Sequence, residues 1–125
     1  MTWTQSLNYC KILGLRLASF ATFDEAKNAT KLFSKYAHLF EEVIHIAGSK
    51  YGNDPWKWIP YEKKIQFKVD WEKGEPNNKE KEKCMALKKT SDGNFKFIDL
   101  NCDNRNSFLC EYDAEIPEYP RRIKN

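Results

Sequence analysis

Glu75, Asn77, Glu82 and Asp99 are the residues whose types and spacing point to chemistry in this sequence. Glu75 and Asn77 flank a proline in Gly74-Glu75-Pro76-Asn77. Glu82 stands shortly after that motif, two residues before Cys84, and Asp99 stands three before Cys102. Together they offer three carboxylates and one amide, all hard oxygen donors. Calcium takes about six to eight such oxygens with forgiving geometry. A transition metal would call for His or Cys, which this group lacks. The competing reading is a set of solvated loop charges beside Lys73, Lys79, Lys81 and Lys83.

A bridge between Cys84 and Cys102 would bring Glu82 and Asp99 into one neighbourhood. The chain has four cysteines, Cys10, Cys84, Cys102 and Cys110. None forms a CxxC pair, and no histidine follows at zinc-finger spacing, which argues against structural zinc. An even number in a short chain reads as two disulfides and an oxidising compartment. Four cysteines allow three pairings, and spacing alone does not choose among them. A Cys10–Cys110 bridge would close a long loop worth about 4–5 kcal/mol on the chain-entropy model. Four reduced, buried thiols are the alternative. Asn28-Ala29-Thr30 is an N-glycosylation acceptor, which leans toward a secreted protein.

The elements that must hold these residues can be read from capping and periodicity. Thr2 and Gln5 form a capping box ahead of Trp3, Leu7, Cys10 and Leu13, with Gly14 as a stop, so residues 3–13 are expected to be a helix. Leu15 and Leu17 alternate with Arg16 as a short strand. Thr22 and Glu25 open a second amphipathic helix over residues 23–38. Asn28 falls roughly 135° from the centre of its apolar stripe at about 100° per residue, so a glycan there would face solvent. Strands are expected at 43–47, 84–87, 95–98 and 108–112, with a turn at Ser91-Asp92-Gly93-Asn94. Residues 48–83 are rich in Gly, Pro and Asn, with only 63–69 looking extended. They also carry Trp56, Trp58, Tyr61, Phe67 and Trp71, which argues for a large loop packed onto a core. These tryptophans are read as loop-core residues before sugar-stacking ones. Two helices followed by short antiparallel strands make an α+β domain. Residues 113–125 read as a flexible tail.

The 125 residues make one domain. Hydrophobic residues at 41% and aromatic residues at 14% indicate globular material. The net charge of +3 is too small to argue for nucleic acid or an anionic membrane. No apolar run reaches the length of a membrane span, and residues 1–15 lack a signal-peptide pattern. His38 and His45, the only histidines, read as surface and structural residues. No nucleophile has a partner arrangement, so an enzyme is not expected. Glu75 and Asp99 could imitate a glycosidase pair, but a second pattern accounts for them better.

That pattern is a resemblance. Residues 2–112 resemble a C-type lectin-like domain. The matching points are Trp3, Cys10, Gly14 and Leu17, then Thr22-x-x-Glu25, His45-Ile46-Ala47-Gly48, Trp56-Lys57-Trp58, Trp71-x-x-Gly74-Glu75-Pro76-Asn77, Cys84, Asp99-x-x-Cys102 and Phe108-x-Cys110-Glu111. The resemblance implies bridges Cys10–Cys110 and Cys84–Cys102, and a fold whose long loop is the binding region. It implies that Glu75, Asn77, Glu82 and Asp99 hold one calcium ion and the sugar hydroxyls, with a cis proline between Glu75 and Asn77. Glu-Pro-Asn implies mannose-type sugars with equatorial 3- and 4-hydroxyls.

The departures from the pattern also carry expectations. Phe97-Ile98-Asp99 stands where the family reads Trp-Asn-Asp. Ile98 removes one calcium ligand and one amide donor, so weakened calcium affinity is expected. Asn78, Lys83 and Lys50 stand where other members place acidic ligands, so a single site is expected, with Lys83 adding positive charge near it. Beside the family pattern, the chain is expected to lack the first strand and a signal peptide ahead of residue 1. Two functions follow. One is a secreted, calcium-dependent lectin of mannose-type preference, recognising glycans on microbial or host surfaces in innate immunity. The other is a calcium-independent, protein-binding lectin-like module with a degenerate sugar site. Either could act as a homo- or hetero-oligomer, and neither involves nucleic acid or a membrane span.

Overall fold

A computed structural model describes residues 1–59, 61–77 and 83–112. Glu82 and the 113–125 tail lie outside the described residues. The order is α1 (Trp3–Ile12), β1 (Leu15–Leu17), α2 (Phe23–Lys35), a 3-10 turn (Ala37–Leu39), β2 (Val43–Ser49), β3 (Lys57–Trp58), β4 (Lys63–Lys64), β5 (Cys84–Lys89), β6 (Phe95–Leu100), β7 (Ser107–Phe108) and β8 (Cys110–Tyr112). This is the expected α+β architecture, with two helices, antiparallel sheet and two disulfides.

Both helices start where their caps place them. Thr2 and Gln5 form the full reciprocal box at α1. At α2 only half of it forms. Thr22 accepts from the Glu25 N–H, while the Glu25 carboxylate takes the Ala21 N–H at 3.3 Å, one residue earlier than a capping box would. α2 also ends before residue 38. Tyr36 leaves helical geometry, and the chain tightens into the 3-10 turn so that Phe40 folds back onto Phe33, ring centroids 5.1 Å apart. Lys89 Nζ donates to the Ala37 and Phe40 carbonyls at 2.8 and 2.9 Å, satisfying the ends the helix leaves open.

The main sheet has strand order β4-β3-β2-β5-β6, with β7 running parallel to β2. β1 and β8 form a separate two-stranded ribbon. Strands β5 and β6 run longer than periodicity suggests, because their paired residues are buried on both faces and show no alternation. The 63–69 stretch pairs only at Lys63–Lys64. Past the Ile65 N–H bond to the Trp56 carbonyl (3.0 Å), Phe67 turns in toward Phe23 and Trp58. A Cβ on Gly48 would stand 2.6 Å from Met85 Sδ, so β2 and β5 approach each other there only because residue 48 has no side chain.

The core joins α1, β1, β2, β5 and β6 through Trp3, Cys10, Leu17, Ile46, Met85, Leu87 and Phe97. Cys10–Cys110 ties α1 to the terminal ribbon, and Cys84–Cys102 ties the start of β5 to the loop after β6. No helix among the described residues is long and apolar enough to cross a membrane.

Candidate functional site

The long loop docks on β6 before it reaches the Glu-Pro-Asn motif. Trp71 makes a parallel bridge with Phe97, the Phe97 N–H donates to the Asp70 carbonyl (3.1 Å), and the Glu72 N–H donates to the Phe97 carbonyl (2.8 Å). Trp71 also packs against Trp56 at 5.4 Å, as expected of loop-core aromatics. Gly74 then turns the chain with φ of +86°, and the Glu75 N–H closes the turn on the Glu72 carbonyl at 2.8 Å. Only a residue without Cβ takes that backbone readily. The loop direction is therefore set by pairing to Phe97, two residues before Asp99.

The result is a convergence of residues far apart in sequence. The Asn77 N–H is shared by Glu75 Oε1 at 3.1 Å and Asp99 Oδ1 at 3.0 Å. Two oxygens on one donor cannot stand more than roughly 6 Å apart. The Glu75–Pro76 peptide is cis. Asp99 is 2% exposed, while Glu75 is half-buried and Asn77 exposed, so the pair has one walled side and one open side.

Three of the four predicted ligand residues thus meet, Glu75 and Asp99 through their carboxylates and Asn77 through its backbone N–H. Glu82 lies outside the described residues, and among the described residues no cluster of three or more His, Cys, Asp or Glu could hold a metal by itself. The donor chemistry suits a hard cation. It is two carboxylates and an amide, and all four cysteines are in bridges. Ile98, at the position expected to weaken the site, is 7% exposed and belongs to the apolar core. Lys83, expected to add charge near the metal, holds its ammonium 5.8 Å from the Tyr51 ring centroid.

Two supports of the site region went unread in the sequence. Arg16 Nε donates to Glu111 Oε2, and Arg16 Nη1 donates to the Tyr61 hydroxyl at 2.9 Å, so the terminal ribbon holds the far end of the long loop. Burial pushes the Glu111 carboxyl above its usual range, with Arg16 opposing that shift. Nothing within a few residues of Arg16 signals the contact, since its partners lie 45 and 95 residues away. The second support is His45. It is fully buried, and its Nε2 donates to the carbonyls of Met1 (3.1 Å) and Asn104 (3.2 Å). Carbonyls only accept, so Nε2 carries the proton. Nδ1 is buried without a partner, and burial lowers the His45 pKa. His38 is exposed.

Residues 1–112 match the family model of the lectin C-type domain. E-selectin of Equus caballus is 28% identical over 113 residues, covering 88% of this chain and 18% of that protein. C-type lectin domain family 4 member E of Mus musculus is 25% identical, covering 94% of this chain and 53% of that protein. The chain thus spans about half or less of the length of these relatives. Among solved structures, the C-type lectin domain of murine dendritic cell inhibitory receptor 2, in complex with an N-glycan, superposes with a TM-score of 0.70 at 21% identity, covering 90% of this chain and 83% of that one. With the family model spanning the helices, both disulfides and the Glu75–Asp99 convergence, the chain belongs to the C-type lectin domain family.

Proposed function

We propose that the chain is a secreted, calcium-dependent carbohydrate-binding domain of mannose-type preference, recognising glycans on microbial or host surfaces in innate immunity. The observation that supports it most is the Asn77 N–H divided between Glu75 Oε1 and Asp99 Oδ1. A loop and a strand 22 residues apart there bring two carboxylates to the Asn77 backbone. Glu75, Asn77, Glu82 and Asp99 are the residues proposed to hold calcium and the sugar. Bound calcium would supply coordination positions for two adjacent sugar hydroxyls. The chain's own part is to orient the hydroxyls. Carboxylate oxygens accept their protons, and the Asn77 amide can donate back. Buried Asp99 anchors one wall of the site, and Glu75 and Asn77 stand on the open side. The domain extends over residues 1–112, with 113–125 as a tail, and exposed Asn28 on α2 is the proposed glycan acceptor. Such a domain binds and releases without catalysis.

Calorimetry with calcium, then with methyl mannoside in calcium, tests this reading. Calcium heat at millimolar concentration and a mannoside signal abolished by chelation are expected. No calcium heat would overturn the reading. Because the ligating carboxylates must be ionised, mannoside should be released on acidification. Retention at pH near 5 would count against the site.

Ile98 favours a second reading, a calcium-independent, protein-binding module. A buried aliphatic side chain there contributes packing where the family pattern has a ligand. The Ile98→Asn variant discriminates. Tighter calcium binding, by about tenfold, supports a working but weakened site, and unchanged affinity supports the second reading.

A further inference from the structure

The β3–β4 hairpin carries a charge arrangement unrelated to the Glu75–Asp99 site. Lys57 is the direct cross-strand partner of Lys64, and Ser49 is the partner of Lys57 on the other side. Directly opposed residues share a face, so Lys64, Lys57 and Ser49 form one row across three strands. On the fourth strand Ser49 is paired with buried Cys84, so the cations of the row are Lys57 and Lys64, about one strand spacing apart. Lys63 opposes Trp58 and lies on the other face, as does Lys83, one residue before Cys84.

Lys64 and Lys83 are exposed and Lys57 is half-buried. Neither Lys57 nor Lys64 pairs with an acid among the described residues. Like charges directly opposed across a ladder are destabilising, and a bound anion would remove that repulsion. The described acids between residues 49 and 64 are Asp54 and Glu62, both exposed. Tyr51, two residues past Ser49, is 83% exposed.

We propose that this row binds a sulfated polysaccharide without calcium. Ammonium groups one strand apart suit charges that follow on successive sugar residues. A densely sulfated chain carries such charges, whereas hyaluronan has one carboxylate per disaccharide. The exposed Tyr51 ring offers a flat apolar face on which a pyranose can stack. A membrane surface fits less well, because Tyr51 is the one large exposed hydrophobic among the described residues between 43 and 77. The inference does not rest on the calcium reading.

The test is binding to immobilised dextran sulfate in EDTA, against neutral dextran of the same length, from about 50 to about 300 mM NaCl. EDTA separates the outcome from that of the calcium site. Binding that weakens with salt, and none to neutral dextran, is expected. The Lys57→Glu/Lys64→Glu double variant should weaken binding at least about tenfold, and Lys31→Glu on the outer face of α2 less than about twofold. Lys57→Gln/Lys64→Gln is the substitute if the acidic pair does not fold, and should also weaken binding. Lys57→Arg/Lys64→Arg should retain it. Wild-type binding by either neutralised pair, equal loss in Lys31→Glu, or equal affinity for hyaluronan, duplex DNA or anionic vesicles would overturn the proposal.

Discussion

Two carboxylate clusters of this domain join distant segments in different ways. Glu111 sits in the β1–β8 ribbon, where its oxygens meet the Arg16 guanidinium and the Ser19 N–H. That cluster carries its own counter-charge, and Tyr61 extends it to the long loop. At the other end, Glu75 and Asp99 both accept from the Asn77 backbone N–H. A guanidinium shared by a carboxylate and a phenol ties two segments together, whereas two carboxylates gathered on one N–H set hard oxygen donors side by side. The ribbon closes the fold, and the loop carries the proposed binding site.

The largest effect expected from breaking this contrast is at the ribbon's covalent bond. Cys10→Ala/Cys110→Ala should cost about 2–5 kcal/mol in denaturant unfolding. If the melting point were unchanged, the ribbon would not be the closure described. The site should respond in function. Asp99→Asn should weaken calcium binding about 100-fold or more, near 2.7 kcal/mol, with Cys10–Cys110 intact by mass. Calorimetry that finds wild-type affinity would remove Asp99 from the site.

A smaller loss is expected from Arg16→Met. It leaves the half-buried Glu111 carboxylate without its cation and the Tyr61 hydroxyl without its donor, costing about 1–3 kcal/mol. Burial already raises the Glu111 pKa above 4.5, so folding favours its protonated form. Without Arg16 that preference grows, and the deficit of the variant should shrink as pH falls through the acid range. Urea unfolding of both proteins at neutral and acid pH would show it, and a deficit independent of pH would mean the charge is not the cause.

The smallest effect is a slope. His45 has its pKa lowered by burial, so folding favours the neutral ring. Its contribution is complete above the ordinary value of 6.5 and is lost as pH falls below it. On acidification this loss begins before the opposing gain from Glu111. His45→Gln keeps a donor for the Met1 and Asn104 carbonyls without titrating, and should flatten stability below pH 6.5. The same slope in the variant would assign the effect elsewhere.

Much of the fold was legible where the signal is local. Thr2 and Thr22 placed both helix starts, because a cap acts within one turn. Tyr36 ended α2 early because Phe40 had to reach Phe33 and Phe95, a packing demand outside the helical pattern. Of the site, residue types and spacing showed Glu75, Asn77 and Asp99 as donors, and only the family resemblance implied that they meet. Lys57 and Lys64 are both plain in the sequence, yet nothing local says that they stand opposite each other.

By itself, then, the sequence determined the residue types. These are oxygen donors without free thiols or paired histidines, four cysteines, caps for two helices, and aromatics enough to pack a long loop. Tertiary structure decided which of them meet. Trp71 had to register on Phe97 before Asn77 could reach Asp99, and β2 had to lie beneath residues 1 and 104 before His45 could be held in one tautomer. The physical reason is reach. Caps, turns and periodicity act over a few residues, while a site made from a loop and a strand 22 residues apart exists only once the sheet between them is paired.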